Sequence, residues 1–205
     1  MPSQIDFWFS IGSTYSYLSV MRIDEIAQGA GLTFRWRPFD VRAIMVEMNN
    51  IPFHTKPVKL HYMWRDVERR ARFYGLPWSA VPPYPIKYLS LVNRIALAAS
   101  EEGWCADYVK AAYRSWFISG QDPTLEPNLS DNLRAIGQNP EKVIARATSD
   151  EGKAALEAAT SAARALGIFG SPTFVTNGEI FWGDDRLEDA IRWHSQASTA
   201  VASSN

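Results

Sequence analysis

The sequence predicts an α/β fold in which a four-stranded mixed sheet carries packed helices. The chain begins with a strand–helix–strand pattern and ends with a strand–strand–helix pattern, and a long series of helical segments separates the two. It has 205 residues, of which 46% are hydrophobic, so it can bury one sizeable core. We therefore predict β-α-β plus β-β-α units with a large all-helical insertion between them.

The first unit begins with a buried strand that leads into a helix. Residues 5–9 are mostly large and apolar, and Gly12 ends this run. Ser13 precedes a helical apolar pattern over 14–28, so its side chain is expected to cap the first turn. Residues 32–36 alternate as a second strand, which is expected to run parallel to the first. Ser13 would also lie at the positive end of the helix dipole, where a bound anion is favoured. Two roles are therefore open for Ser13: a helix cap only, or a cap that also helps to bind an anion.

The predicted insertion covers residues 40–165. Residues 39–51 show no clear periodicity, whereas helical patterns recur over 58–74, 88–102, 104–119, 129–136, 140–148 and 150–166. The first of these helices is strongly basic through Lys59, Arg65, Arg69, Arg70 and Arg72. A solvated charged face would explain this pattern. The alternative is that one or two of these cations face a site for an acidic ligand.

The chain returns to strands in its last unit. A loop that contains Ser171-Pro172 leads into a strand, and Asn177-Gly178 is a strong hairpin signal. The strand after this turn is therefore expected to return antiparallel to the one before it. Asp184 or Asp185 is expected to cap the final helix, residues 186–194.

Composition argues against several functional classes. The formal charge is −1, from 21 Lys and Arg against 22 Asp and Glu, so non-specific electrostatic binding to nucleic acid or to an anionic membrane is not expected. No apolar run approaches the ~20 residues of a membrane span, and no secretory signal is evident, so we expect a cytoplasmic protein. Cys105 is the only cysteine, which excludes an internal disulfide, and we expect a core thiol. The three histidines lack metal-ligand spacing, so no metal is predicted.

The two outer units have the order of elements of a thioredoxin fold. In that fold the reactive group lies at the start of the first helix and faces a proline, usually cis, before the third strand. Here those positions are Ser13 and Pro172. We expect residues 1–39 and 166–197 to form a discontinuous thioredoxin-like domain around the helical insertion.

The sequence also resembles the glutathione-dependent branch of the DsbA-like proteins, namely the 2-hydroxychromene-2-carboxylate isomerases and the kappa-class glutathione transferases. The matching segments are FWFSIGSTYSYL at 7–18, Asn50 ahead of a proline, KLHYMWRDVERRARFYGLP at 59–77 and GIFGSPTFVTNGEIFWGDDRL at 167–187. This order of segments covers nearly the whole chain. The resemblance implies that the protein is an enzyme that uses glutathione.

The resemblance implies roles for specific residues in binding glutathione. Ser13 takes the place of the first cysteine of disulfide oxidoreductases and would hold the glutathione sulfur, because a hydroxyl donor at a helix N-terminus favours a thiolate. Ser171 would pair with the cysteinyl backbone, and Asn50 would contact the glycyl end. The γ-glutamyl end would be held by Trp182, Gly183, Asp184 and Asp185. The two aspartates have acidic side chains that suit its ammonium group.

The resemblance also implies a neighbouring pocket for an acidic aromatic substrate. Tyr84 lies in a proline-rich run at about the position where family members contact substrate, although a packing role alone is the alternative. Met45 stands where the naphthalene-pathway isomerases carry a substrate-binding lysine, so Arg42 or Lys59 would supply the cation for a carboxylate. Thr14 follows Ser13 where the family usually has proline.

We therefore expect a glutathione-dependent isomerase that acts on an unsaturated aromatic acid of the 2-hydroxychromene-2-carboxylate type by reversible thiolate addition. One alternative is a kappa-like transferase, which keeps glutathione in its product. Another is a non-catalytic thiol- or peptide-binding module. A thiol:disulfide oxidoreductase is disfavoured because no cysteine lies near Ser13. A homodimer is compatible with the resemblance, but the sequence does not define the oligomeric state.

Overall fold

The computed structural model describes residues 4–51, 53 and 55–202, and it confirms the predicted mixed sheet. Its strands are β1 (Gln4–Phe9), β2 (Thr33–Pro38), β3 (Thr173–Thr176) and β4 (Glu179–Trp182). Their order in the sheet is β2-β1-β3-β4. Strand β1 is parallel to β2 and antiparallel to β3, and the β3–β4 hairpin is antiparallel, as the turn residues predict.

The helices between and after the strands follow the predicted pattern closely. Within the described residues they are α1 (Thr14–Val20), α2 (Ile23–Ala30), α3 (Val41–Glu47), α4 (Pro57–Phe73), α5 (Leu89–Glu102), α6 (Cys105–Phe117), α7 (Asn128–Ala135), α8 (Pro140–Thr148), α9 (Asp150–Ala165) and α10 (Leu187–Ala202). Helices α4 to α9 agree with the predicted helical segments to within one or two residues at each end. None of the described helices combines the length and the apolar character needed to cross a bilayer.

The single first helix predicted over residues 14–28 is wrong, because the structure divides it into α1 and α2. The backbone leaves helical geometry at Arg22, with φ −124° and ψ −7°. The Arg22 guanidinium is buried, where it pairs with Glu188 and donates to the Asp184 carbonyl oxygen. This long-range contact accompanies a break that the helical periodicity alone does not indicate.

Helix α3 lies where the sequence predicts no regular structure. Asp40 caps it, since its Oδ1 accepts hydrogen bonds from the backbone N–H groups of Arg42 and Ala43 at 3.0 and 3.2 Å. The helix buries Val41 and Ile44, which are too few apolar residues to give a clear period. Its position matters for the site because Arg42 and Met45 both lie on it.

One buried core joins the sheet to the helical insertion. Phe7 of β1 stacks on Phe174 of β3 with ring centroids 5.3 Å apart, and the same cluster contains Ile95 of α5 and Trp116 of α6. The division into a domain of residues 1–39 and 166–197 and an insertion of residues 40–165 stays a prediction. The shared core fixes α4, α5 and α6 against the start of α1, where Ser13 lies.

Candidate active site

Ser13 lies at the N-cap of α1, as predicted. Its Oγ accepts a hydrogen bond from the Ser16 N–H at 3.3 Å and donates one to the Ser171 carbonyl oxygen at 2.7 Å. The preceding Gly12 has a φ of 117°, a conformation that favours glycine, and a Cβ there would overlap the Leu89 side chain. The tight turn therefore places the Ser13 hydroxyl both at the helix N-terminus and against the loop before β3.

The loop before β3 contains the predicted cis peptide bond between Ser171 and Pro172. The Ser171 Oγ accepts a hydrogen bond from the Ser10 N–H at 2.9 Å and lies 2.8 Å from the Ser16 Oγ. The Ser171 N–H donates to none of the described residues. Its carbonyl oxygen already accepts from Ser13 and has a second lone pair. A peptide-like ligand could therefore use both backbone groups of Ser171.

Two residues that sequence reasoning missed, one on α5 and one on α6, form hydrogen bonds with the Ser10–Ser13 turn. Asn93 of α5 is fully buried: its Oδ1 accepts from the Ile11 N–H at 2.8 Å, and its Nδ2 donates to the Ser10 Oγ at 3.0 Å. Tyr113 of α6 donates from its hydroxyl to the Ser13 carbonyl oxygen at 2.9 Å. An asparagine on the apolar face of α5 is the one signal in the sequence that could have identified this support.

Replacing Asn93 with alanine is expected to lower the free energy of unfolding by about 3 kcal/mol, because it leaves the Ile11 N–H and the Ser10 hydroxyl buried without these partners. Urea denaturation followed by tryptophan fluorescence measures the change. Asn128→Ala is the matched control, since Asn128 is half-buried and makes one hydrogen bond, to the Asp122 carbonyl oxygen. Equal losses in the two variants would contradict the supporting role of Asn93.

A cavity of about 760 Å³ opens beside Ser13. Most of the residues that the resemblance singles out line it together: Ser13, Arg42, Asn50, Lys59, Tyr84, Ser171 and Trp182. Apolar side chains complete the wall, among them Met45, Phe53 and Met63. The structure thus brings residues from widely separated parts of the chain to one site, whereas Gly183, Asp184 and Asp185 are not part of the cavity wall.

Tyr84 lies in the aromatic part of this cavity. Its ring packs edge-on against Trp64, with centroids 5.4 Å apart, and contacts Phe53 in the same manner at 6.2 Å. Burial raises the pKa of the Tyr84 hydroxyl, and the nearby positive charge of Arg42 opposes this shift. Tyr84 therefore packs against its aromatic neighbours and also lines the cavity. The charge of Arg42 is close enough to affect the Tyr84 hydroxyl.

Arg42 of α3 and Lys59 of α4 have no acidic partner among the described residues, unlike the arginines of α4. On that helix the arginines form ion pairs, Arg65 and Arg72 with Glu68, Arg69 with Asp66 and Arg70 with Asp184. The arginines of α4 are therefore held in ion pairs, while Lys59 lines the cavity; a role of Lys59 in binding an acidic ligand stays a prediction. Two uncompensated positive charges on the wall favour an acidic ligand.

The turn that contains Gly183, Asp184 and Asp185 differs from the prediction. The first turn after Gly183 is a short 3₁₀ segment, and neither aspartate caps it with its side chain. The Asp184 carboxylate, whose side chain is 2% exposed, accepts instead from Arg70 Nε and Nη2 at 2.9 and 2.8 Å. Burial raises the pKa of Asp184 to about 6, although Arg70 opposes the shift. Asp185 is more exposed and pairs with Arg186 at 3.1 Å.

An aromatic pair borders the cavity on the side of the sheet. The rings of Phe169 and Trp182 are 4.8 Å apart and edge-on, and the two residues are 39% and 53% exposed. Gly170 makes this arrangement possible, because a Cβ at this position would overlap the Trp182 indole. Phe169 was not predicted as a site residue. Its position in the matched segment just ahead of Ser171 was the available signal.

Metal binding and cysteine chemistry are the two other possibilities to consider. In the part of the chain that the structure describes, no group of His, Cys, Asp and Glu side chains is arranged to hold a metal ion, and His54 lies outside that part. Cys105 is buried in α6 and burial raises the pKa of its thiol, which confirms the predicted core thiol.

The sequence matches the DsbA-like thioredoxin domain over residues 4–191. The chain is 30% identical to the 2-hydroxychromene-2-carboxylate isomerase of Sphingobium xenophagum, over 92% of this chain and 96% of that protein. It is 26% identical to glutathione S-transferase kappa 1 of Caenorhabditis elegans, over 90% and 87%. A solved structure of 2-hydroxychromene-2-carboxylate isomerase superposes with a TM-score of 0.85 at 27% identity, over 98% and 99% of the two chains.

Proposed function

The chain belongs to the DsbA-like thioredoxin family, and we propose that it is a glutathione-dependent isomerase acting on an unsaturated aromatic acid of the 2-hydroxychromene-2-carboxylate type. The observation that carries the proposal is the position of Ser13. Its hydroxyl lies at the start of α1, in a cavity lined by Arg42 and Lys59, two cations with no acidic partner among the described residues. The relatives that share the name 2-hydroxychromene-2-carboxylate isomerase, at 26–30% identity, support the reaction type.

The groups around Ser13 fit glutathione. The Ser171 N–H has no partner among the described residues and its carbonyl oxygen can accept a further bond, so an extended cysteinyl backbone would pair with both groups as an added strand does. Asn50 lines the same cavity and would contact the glycyl end. Trp182 and the following turn would receive the γ-glutamyl end. For its ammonium group we favour Asp185, because its side chain is exposed and its pair with Arg186 is open to solvent, whereas the Asp184 carboxylate is buried against Arg70.

Glutathione, when bound, supplies a thiolate that adds reversibly to the conjugated double bond, which permits rotation before elimination restores the double bond. Ser13 would donate its hydroxyl hydrogen to the anion, and the α1 N-terminus adds a favourable dipole. Arg42 or Lys59 would hold the carboxylate of the acid, and Tyr84 would lie against its ring system. The apolar wall would exclude water from the reacting atoms.

The direct test is to incubate the protein with 2-hydroxychromene-2-carboxylate and to follow the products by NMR. We expect isomerisation that requires glutathione, with the glutathione concentration unchanged at the end. S-Methylglutathione is the matched control, since it keeps the peptide but has no free thiol and should support no turnover. Accumulation of a glutathione conjugate would indicate the kappa-like transferase instead. Binding of glutathione without any turnover would indicate a non-catalytic module.

A further inference from the structure

A group of buried charges lies behind the turn after β4, outside the cavity wall. Arg70 of α4 donates to the Asp184 carboxylate through Nε and Nη2, and its Nη2 also donates to the Tyr74 hydroxyl at 2.9 Å. Arg22 donates to the Asp184 carbonyl oxygen at 3.0 Å and stacks over the Tyr74 ring at 3.8 Å. Arg22 also pairs with Glu188. We call this set the Arg70–Asp184 cluster.

The Arg70–Asp184 cluster connects three elements that form the site. Arg70 is on α4, which carries Lys59 into the cavity. Arg22 lies at the break after α1, the helix that begins next to Ser13. Asp184 lies between Gly183 and Asp185, in the turn expected to receive the γ-glutamyl end. A shift in this cluster would therefore move the turn relative to the rest of the site.

Arg70 supplies the cationic partner of a carboxylate that has almost no access to water. The Asp184 side chain is 2% exposed and that of Arg70 is 25% exposed. Among the described residues, no other cationic side chain donates to this carboxylate. Removing one partner of a buried ion pair leaves the other charge without compensation, so the remaining group takes up a proton or moves towards solvent. Because Asp184 is buried within the turn, a move of its carboxylate towards solvent would displace the turn.

We propose that Arg70 is a positioning residue for the γ-glutamyl end of glutathione, because its ion pair with ionised Asp184 holds the turn at Gly183–Asp185 in its binding geometry. This inference rests on the proposed function, since it assumes that glutathione occupies the cavity. It adds that the affinity for a γ-glutamyl ligand depends on the charge of a residue that the ligand does not need to touch.

The surroundings of Asp184 make this dependence measurable near neutral pH. Burial raises the pKa of its carboxyl to about 6; the charges of Arg70 and Arg22 act against this shift and that of Asp185 adds to it. The neighbouring titratable groups among the described residues are Tyr74, directly after α4, Tyr15 of α1, and Glu188 of α10, which pairs with Arg22. Asp184 is therefore ionised and paired at pH 7, and it takes up a proton as the pH falls through about 6. Ligand affinity should be constant above that range and fall below it.

The experiment is calorimetric titration of S-methylglutathione between about pH 5 and about pH 7, where the ligand's own carboxylates and ammonium remain largely ionised. The methylated ligand removes the thiol, whose ionisation would otherwise contribute to the profile. We expect wild type to lose up to about tenfold in affinity per pH unit below about pH 6. Asp184→Asn should bind with no such dependence, because the titrating group is absent.

Arg70→Met should bind about tenfold more weakly than wild type at pH 7, and Arg70→Lys should recover part of the affinity because it keeps a positive charge. Arg72→Met is the matched control, since Arg72 is on the same helix, is 68% exposed and, among the described residues, forms an ion pair only with Glu68. This control should keep the wild-type affinity and pH profile. If Arg70→Met does not fold, Arg70→Lys and Asp184→Asn decide the question through their pH profiles.

The outcomes separate this inference from the proposed function. Wild-type affinity and pH profile in Arg70→Met, or an unchanged pH profile in Asp184→Asn, would overturn the positioning role while leaving the glutathione site in place. Failure of wild type itself to bind S-methylglutathione at pH 7 would overturn the glutathione site and this inference with it.

Discussion

Replacing Ser13 with alanine is expected to lower turnover of the aromatic acid at saturating glutathione by about 100-fold. The Ser13 hydroxyl is the side-chain donor at the start of α1, and without it the bound sulfur would be stabilised only by the helix dipole and the surrounding N–H groups. The affinity for glutathione should change by less than about tenfold, the contribution of one hydrogen bond. The pKa of the bound thiol should therefore rise while binding persists.

The ultraviolet absorbance of the thiolate, titrated against pH in the complex, measures that pKa directly. Ser19→Ala is the matched control on the same helix, because the Ser19 hydroxyl is buried and has no hydrogen-bond partner among the described residues. It should leave both the thiol pKa and the turnover unchanged. Equal thiol pKa values in wild type and Ser13→Ala would remove Ser13 from the mechanism.

Replacing Arg42 with methionine is expected to lower kcat/KM for the acidic substrate by about 100-fold, which corresponds to about 3 kcal/mol of lost charge-assisted hydrogen bonding. Arg42 lines the cavity near Tyr84 and has no acidic partner among the described residues, so its charge is available to a ligand. Tyr84→Phe should lower turnover by a smaller factor, since it removes only a hydroxyl. Neither change should alter the affinity for glutathione.

Steady-state kinetics at saturating glutathione, beside calorimetry of glutathione alone, separates these effects. The methyl ester of the substrate is an informative comparison, because it lacks the negative charge and should be converted equally by wild type and Arg42→Met. Arg94→Met is the protein control. Within the part of the chain that the structure describes, the Arg94 side chain donates only to the Ser90 carbonyl oxygen and does not line the cavity. Loss of glutathione affinity in Arg42→Met would show that the acid pocket is placed wrongly.

The parts of the fold that depend on local chemistry could be predicted from the sequence. Alternating and apolar runs identified the strands, Asn177-Gly178 identified the hairpin, and the proline of Ser171-Pro172 marked the loop facing Ser13. The order of the elements, which is that of a thioredoxin fold, then predicted the sheet and placed Ser13 opposite Pro172. The other cavity residues were assigned through the resemblance to the isomerases and kappa-class transferases.

The parts that depend on long-range polar contacts could not be predicted. Arg22, at the break between α1 and α2, pairs with Glu188, and Asp184 pairs with Arg70. Each pair joins residues more than a hundred positions apart, and a local sequence pattern does not indicate such a pairing. The two aspartates stand just before a helix, where a side-chain cap is common, so the sequence predicts a cap beside the γ-glutamyl role and gives no indication of the pair with Arg70. The supporting role of Asn93 was not predicted because a single polar residue does not disturb the apolar period of α5.

The hydrogen bond from Ser13 to the Ser171 carbonyl oxygen has a bearing on how the site would discriminate among cellular thiols. A serine hydroxyl has one hydrogen to donate, and in this structure that hydrogen is directed to the loop rather than to the cavity. An amide N–H from a peptide laid along Ser171 would share that carbonyl oxygen and weaken its bond to Ser13, which would favour turning the hydroxyl towards sulfur. A small thiol without a peptide group leaves the bond in place, so activation of the nucleophile would be conditional on the backbone that accompanies it.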